Sequence, residues 1–207
     1  NTAVGLQAML ANTTGANNTA VGYLSLCSNT TGASNTAIGR QSLSKNTTAS
    51  SNTAVGNNSM ICNTTGHSNT AVGRYALYEN TTADNNTAIG FCALMDNTTG
   101  TGNTASGNRA LENNTTADSN TAVGYSTLIA NTTGACNTAL GKEALRAHTT
   151  GTRNTGLGHG ALCDITTTQD NTAVGYHASR DATANYTTAV GSEAVFRTTG
   201  DGNTGMG

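Results

Sequence analysis

The hydrophobic residues of this chain recur at fixed intervals and do not cluster into long amphipathic runs. The block Asn-Thr-Ala-Val-Gly opens the sequence at Asn1 and returns, with small changes, at Asn18, Asn35, Asn52, Asn69, Asn86, Asn103, Asn120, Asn137, Asn154 and Asn171. Each step is 17 residues, and the next two starts, Thr187 and Asn203, follow steps of 16. The consensus reads N-T-A-V-G-x-x-A-L-x-x-N-T-T-G-x-x. Positions within it are numbered 1 to 17 below. A strict period of this length marks a solenoid, in which each coil buries its apolar face only against its neighbours.

Position 5 is glycine in every coil, which marks a positive φ or a close approach of another backbone. Position 4 is Val, Ile, Leu or Met except at Ser106, position 8 is Ala, Ser or Thr, and position 9 is Leu or Met except at Ser179 and Val195. Positions 4, 8 and 9 are therefore expected to form a thin core. Positions 2–5 fit a short strand stacked on its copies at about 4.8 Å, and Asn-Thr-Thr-Gly at positions 12–15 has turn chemistry. Positions 6–11 are ambiguous. The restricted positions 5, 8, 9 and 12 follow helical spacing, yet helices pack at about 8–10 Å and do not stack at strand spacing. A single helical turn and a second short strand both remain open there. The expected fold is an all-β-leaning parallel β-solenoid of twelve coils, forming one repeat array over residues 1–207. Because the chain opens on a repeat and stops inside another, it is expected to be a window on a longer fibre protein.

Asn at positions 1 and 12 forms two files along the stack, each able to bond its own copy in the next coil. The second file breaks at His148, Ile165, Ala182 and Thr198, so the repeat degrades toward its C-terminal end.

This repeat resembles the head repeats of trimeric autotransporter adhesins and, more closely, the N-T-A-I-G…A-L…N-T-T-G arrays of bacterial and phage fibre proteins. The resemblance covers the whole chain, although the adhesin head coil is shorter. It implies β-solenoid coils, commonly three chains side by side, on a cell surface or virion appendage, with no catalytic residues.

Composition narrows the chemistry. The formal net charge is −2 and charged residues make up 10%, so there is no basic footprint for nucleic acid. No apolar stretch is long enough to insert in a membrane. The five cysteines, Cys27, Cys62, Cys92, Cys136 and Cys163, fall at scattered positions without disulfide or metal spacing. The histidines lack zinc spacing, and no carboxylate dyad or Ser-His-Asp set stands out. No cofactor is expected and the chain reads as a non-enzyme.

Three surface features remain. Asn12, Asn29, Asn46, Asn63, Asn80, Asn97, Asn114 and Asn131 each begin an Asn-Thr-Thr sequon. They are either glycosylation acceptors or an inward, unmodified ladder. Position 10 carries Leu10, Cys27, Ile61, Tyr78, Met95, Ile129, Cys163 and Phe196, with further apolar residues at position 6. That stripe either meets another copy of the chain or closes its own coil. The Thr files at positions 2, 13 and 14 could present a flat face to ice or a glycan, or serve strand and turn formation alone. The combined expectation is a structural shaft or head of an extracellular fibre, built from copies of itself and able to meet a cell-surface or glycan receptor. A flat-faced binding module is the alternative.

Overall fold

The computed structural model describes residues 1–207 and is a parallel β-solenoid without helices. Thirteen three-residue strands, from β1 (Thr2–Val4) and β2 (Thr19–Val21) through β12 (Thr188–Val190) to β13 (Thr204–Met206), form one sheet in chain order. Each strand pairs parallel with the next, like residue on like residue: Thr2 on Thr19, Ala3 on Ala20, Val4 on Val21. The register holds through both 16-residue steps, with Thr172 on Thr188 and Thr188 on Thr204. In the first short coil the missing residue falls in the turn, because Asn185 again occupies position 16 and accepts from the Gln169 amide at 2.9 Å.

Within each strand the side chains alternate, and it is position 3, not position 4, that points inward. Ala20, Ala37, Ala54 and their equivalents are fully buried against the Leu file at position 9. Ile38, Ile89 and Leu140 at position 4 are 40%, 44% and 50% exposed. This corrects the expected core of positions 4, 8 and 9. The two walls lie so close that only a methyl fits on the sheet side, and strand alternation then sends the larger aliphatic residue outward. Polar residues at position 8 are accommodated by bonding to backbone: Ser42 Oγ donates to Ala54 O at 2.8 Å and Ser59 Oγ to Ala71 O at 3.0 Å.

Positions 6–11 form two tight turns and not a helical turn. The position-8 amide returns to the position-5 carbonyl (Ala8 N to Gly5 O, 3.3 Å), and the position-12 amide returns to position 9 (Asn12 N to Met9 O, 3.2 Å). Between them the backbone alternates in hand, with positive φ at positions 7 and 9 (Leu24 54°, Leu26 50°). Alternation turns the peptide groups along the rod. Leu24 N donates back to Leu6 O and Leu26 N forward to Ser42 O, both at 3.0 Å. A helix would direct those bonds within the coil and block stacking at strand spacing. The left-handed conformation costs a residue such as Leu26 about 1–2 kcal/mol. Full burial of its side chain returns about 1.5–3 kcal/mol, and the inter-coil hydrogen bond adds to that.

Position 5 shows why only glycine is used. Gly5 has φ 128°, and a Cβ there would lie 2.7 Å from the Gly22 carbonyl oxygen.

Candidate interaction surfaces

The sheet's outer face is made of positions 2 and 4. Position 2 is Thr in all thirteen strands, and position 4 is aliphatic or Met in all but Ser106. Register stacks these as two parallel files, one of hydroxyls and one of branched apolar groups. Every Lys, Arg, Asp and Glu of the chain falls at position 6, 7, 10, 11, 16 or 17. The face is therefore free of charge from end to end. The position-2 hydroxyls make no hydrogen bond within the chain, whereas those at position 13 donate to the next coil's carbonyl, as Thr30 Oγ1 does to Thr47 O at 3.0 Å. Sequence reading missed this face by placing position 4 inside. The signal was the near-invariant Ala at position 3, replaced only by Gly156 and Gly205.

The position-10 stripe is not one exposed band. Ile61 and Cys163 are buried, Cys27, Tyr78, Met95 and Ile129 are half-buried, and Leu10 and Phe196 are exposed. These residues mainly close their own side of the coil. Four of the exposed aromatics, Tyr23, Phe91, Tyr125 and Tyr176, lie at position 6, with Tyr186 and Phe196 elsewhere.

The sequon asparagines lie inside. From Asn29 to Asn131 each is fully buried. Asn46 Nδ2 donates to Asn29 Oδ1 at 2.8 Å and to Ala49 O at 3.0 Å. The same Ala49 oxygen accepts from Asn35 Nδ2 of the first file at 2.8 Å. A glycan on such an Nδ2 would displace both bonds, so in the folded rod these atoms are structural. Asn12, in the first coil, is half-buried and donates to Gly15 O.

Position 16 carries a further regularity, hidden in sequence because several residue types serve it. A side-chain acceptor there receives the position-16 amide of the preceding coil: Ala33 N to Ser50 Oγ, Ser50 N to His67 Nδ1 and Asn185 N to Asp201 Oδ1.

At His148 the second Asn file stops. The ring is fully buried, Nε2 lies 2.9 Å from Gly151 O in the place of an Asn amide, and both His148 Nδ1 and Asn131 Oδ1 are left without partners. Burial pulls this imidazole below its ordinary pKa, against the opposing effect of the Gly151 hydrogen bond. Beyond it, ion pairs appear along the rod: Arg146–Asp164 at 2.9 Å, Arg180–Asp164 at 2.9 Å and Arg197–Asp181 at 3.3 Å. All five cysteines are free thiols, and burial pushes that of Cys163 up to about 11. No three His, Cys, Asp or Glu side chains converge as a metal site.

No family model matches the chain, and neither a curated protein nor a solved structure matches it.

Proposed function

We propose that this chain is a non-catalytic structural segment, the shaft or head of an extracellular fibre or filament, whose copies pack side by side. The observation that carries this reading is the charge-free Thr and aliphatic face that runs the length of the sheet, its apolar file interrupted at Ser106 alone. An exposed apolar file of that length favours burial against a partner. Strands at about 4.8 Å spacing and about 10 Å long give the face an area of about 600 Å². That is close to the ~800 Å² each partner contributes to a standard interface, and it grows with every added coil. A second copy offers the same flat, neutral surface in the same register. The expected partners are thus other copies of the chain, with a cell-surface or glycan receptor engaged elsewhere on the fibre.

Sedimentation equilibrium tests the reading. The wild-type chain is expected to associate at micromolar concentration, and Val72→Glu with Ile89→Lys is expected to release monomers with unchanged far-UV circular dichroism. A wild-type monomer at those concentrations contradicts packing through this face.

One observation favours a second reading, binding to a flat neutral lattice such as ice or a glycan surface. The position-2 hydroxyls are invariant, outward and free of internal bonds. Thermal hysteresis from a monomeric chain, lost in Thr70→Lys with Thr87→Lys, would replace the first reading with this one.

A further inference from the structure

The rod carries one cavity, of about 250 Å³, in the wall opposite the sheet's open face. It lies across the coils beginning at Asn69 and Asn86 and is lined by Tyr75, Tyr78, Glu79, Met95 and Asp96. The Tyr75 and Tyr78 rings meet edge to face, their centroids 5.5 Å apart, and Phe91 backs Tyr75 at 6.3 Å. Glu79 and Asp96 occupy position 11 of successive coils, one coil spacing apart, about 4.8 Å. Neither belongs to any of the ion pairs on the rod. The nearby Glu112 is already matched by Arg109 at 2.5 Å.

Nothing in the coil requires acids here, since position 11 also holds Ala11, Ser28, Lys45 or Asn113, and its other acids, Asp164 and Asp181, are paired with arginines. Asp96 is repelled by both neighbouring acids: burial first, then the charge of Glu112 and last that of Glu79, push its carboxyl up. A bound cation would relieve that repulsion. The walls select its chemistry. Beyond the two carboxylates the walls offer only neutral phenol hydroxyls and a thioether, weak ligands for a small divalent ion, which would gain nothing from the apolar lining. A cation with an apolar skin gains from the same walls through ring faces and methyl contact. The Tyr75 ring already accepts this kind of contact, with the Arg74 guanidinium 4.5 Å from its centroid.

We infer that the Tyr75–Tyr78–Met95 cavity, with the unpaired Glu79 and Asp96 carboxylates at its edge, is a binding site for an N-alkylated ammonium group. The inference is independent of side-by-side packing, because it concerns a different wall of the rod.

The test is a titration of the whole chain with tetramethylammonium chloride at constant ionic strength, read by the NMR signals of the Met95 methyl and the tyrosine rings. Sodium chloride and neutral 3,3-dimethylbutan-1-ol serve as comparison probes. The expected result is a saturable shift with tetramethylammonium alone. Tyr78→Leu, and separately Glu79→Gln with Asp96→Asn, should each weaken it about tenfold, the effect of losing one desolvated cation–ring contact. Amide protection at Leu77 and Leu94 reports that each variant keeps its coils. Should Tyr78→Leu lose that protection, Tyr75→Leu is read in its place. The inference is overturned by an unsaturable shift, by equal binding of the neutral alcohol, or by affinity that survives loss of the ring or of the carboxylates.

Discussion

The coils from Asn18 to Cys136 and those from Asn137 onward share one sheet but differ in what holds their far wall. In the first stretch the buried asparagines pass hydrogen bonds from coil to coil, as in Asn63 Nδ2 to Asn46 Oδ1 at 3.0 Å and Asn80 Nδ2 to Asn63 Oδ1 at 2.8 Å. In the second, His148, Ile165 and Ala182 occupy that file and surface ion pairs run alongside. Yet β12 and β13 keep the register of the strands before them. The sheet, with its inward Ala and its glycine at position 5, is the part the fold cannot vary. The Asn file is a reinforcement that can be withdrawn. Ion pairs between half-exposed side chains contribute little and do not replace buried amide bonds of the file.

The largest effect should come from breaking what both regions share. Gly56 has φ 139°, and a Cβ there would lie 2.5 Å from the Gly73 carbonyl oxygen. Gly56→Ala combines left-handed strain with displacement of the next coil and should cost about 3 kcal/mol or more. Denaturant unfolding measures this, and the equivalent Gly175→Ala should cost as much, since the sheet is alike in both regions.

Next comes the file itself. Asn80→Ala removes the bonds to Asn63 and Ala83 and leaves Asn97 Nδ2 with Gly100 O as its one remaining acceptor, an expected loss of about 2–3 kcal/mol. Thr198→Ala, at the same coil position in the region that already lacks the file, removes a hydroxyl that has no partner and should change stability by less than about 1 kcal/mol. Equal effects at the two positions would remove the distinction between the regions.

His148 marks the boundary and gives it a pH dependence. Its folded pKa lies below the ordinary value because burial favours the neutral ring. Stability is therefore complete above the ordinary histidine pKa of about 6.5. It falls as the pH drops from there through the lower folded value, because the unfolded chain then binds the proton more readily. His148→Asn should restore a donor to Asn131 Oδ1, raise stability by about 1–2 kcal/mol and flatten the profile between pH 7 and 5. Melts of both proteins across that range measure it. The smallest effect belongs to the ion pairs. Asp164→Asn should shift the melting temperature within experimental scatter, and any shift should vanish in high salt.

The repeat, its parallel stacking and the two asparagine files were legible in the sequence because each depends on residue identity at a fixed interval. The Thr-Ala-Val-Gly strand was equally plain. Which of Ala20 and Val21 faces inward was not. Hydrophobicity alone favours valine for the core, and the choice of alanine follows from the narrow gap between walls, a property of the assembled coil. Helical spacing at positions 5, 8, 9 and 12 was real but misleading. It arises from two successive tight turns, with Leu26 held at positive φ, a conformation that propensity assigns to glycine or asparagine. The cavity at Tyr75 and Tyr78 was illegible for another reason: it joins variable positions of two coils, where the repeat carries no signal.

Native-state hydrogen exchange, read coil by coil at pH 7 and pH 5.5, tests the contrast between the two regions most directly. The position-9 amides bond forward to the next coil in both, as in Leu77 N to Ala93 O and Leu162 N to Ala178 O, each at 3.0 Å. Leu43, Leu77 and Leu111 should share one high protection that is indifferent to pH, while Leu145 and Leu162 should exchange faster and lose further protection at pH 5.5. Uniform protection along the rod at both pH values would contradict the role assigned to the asparagine file.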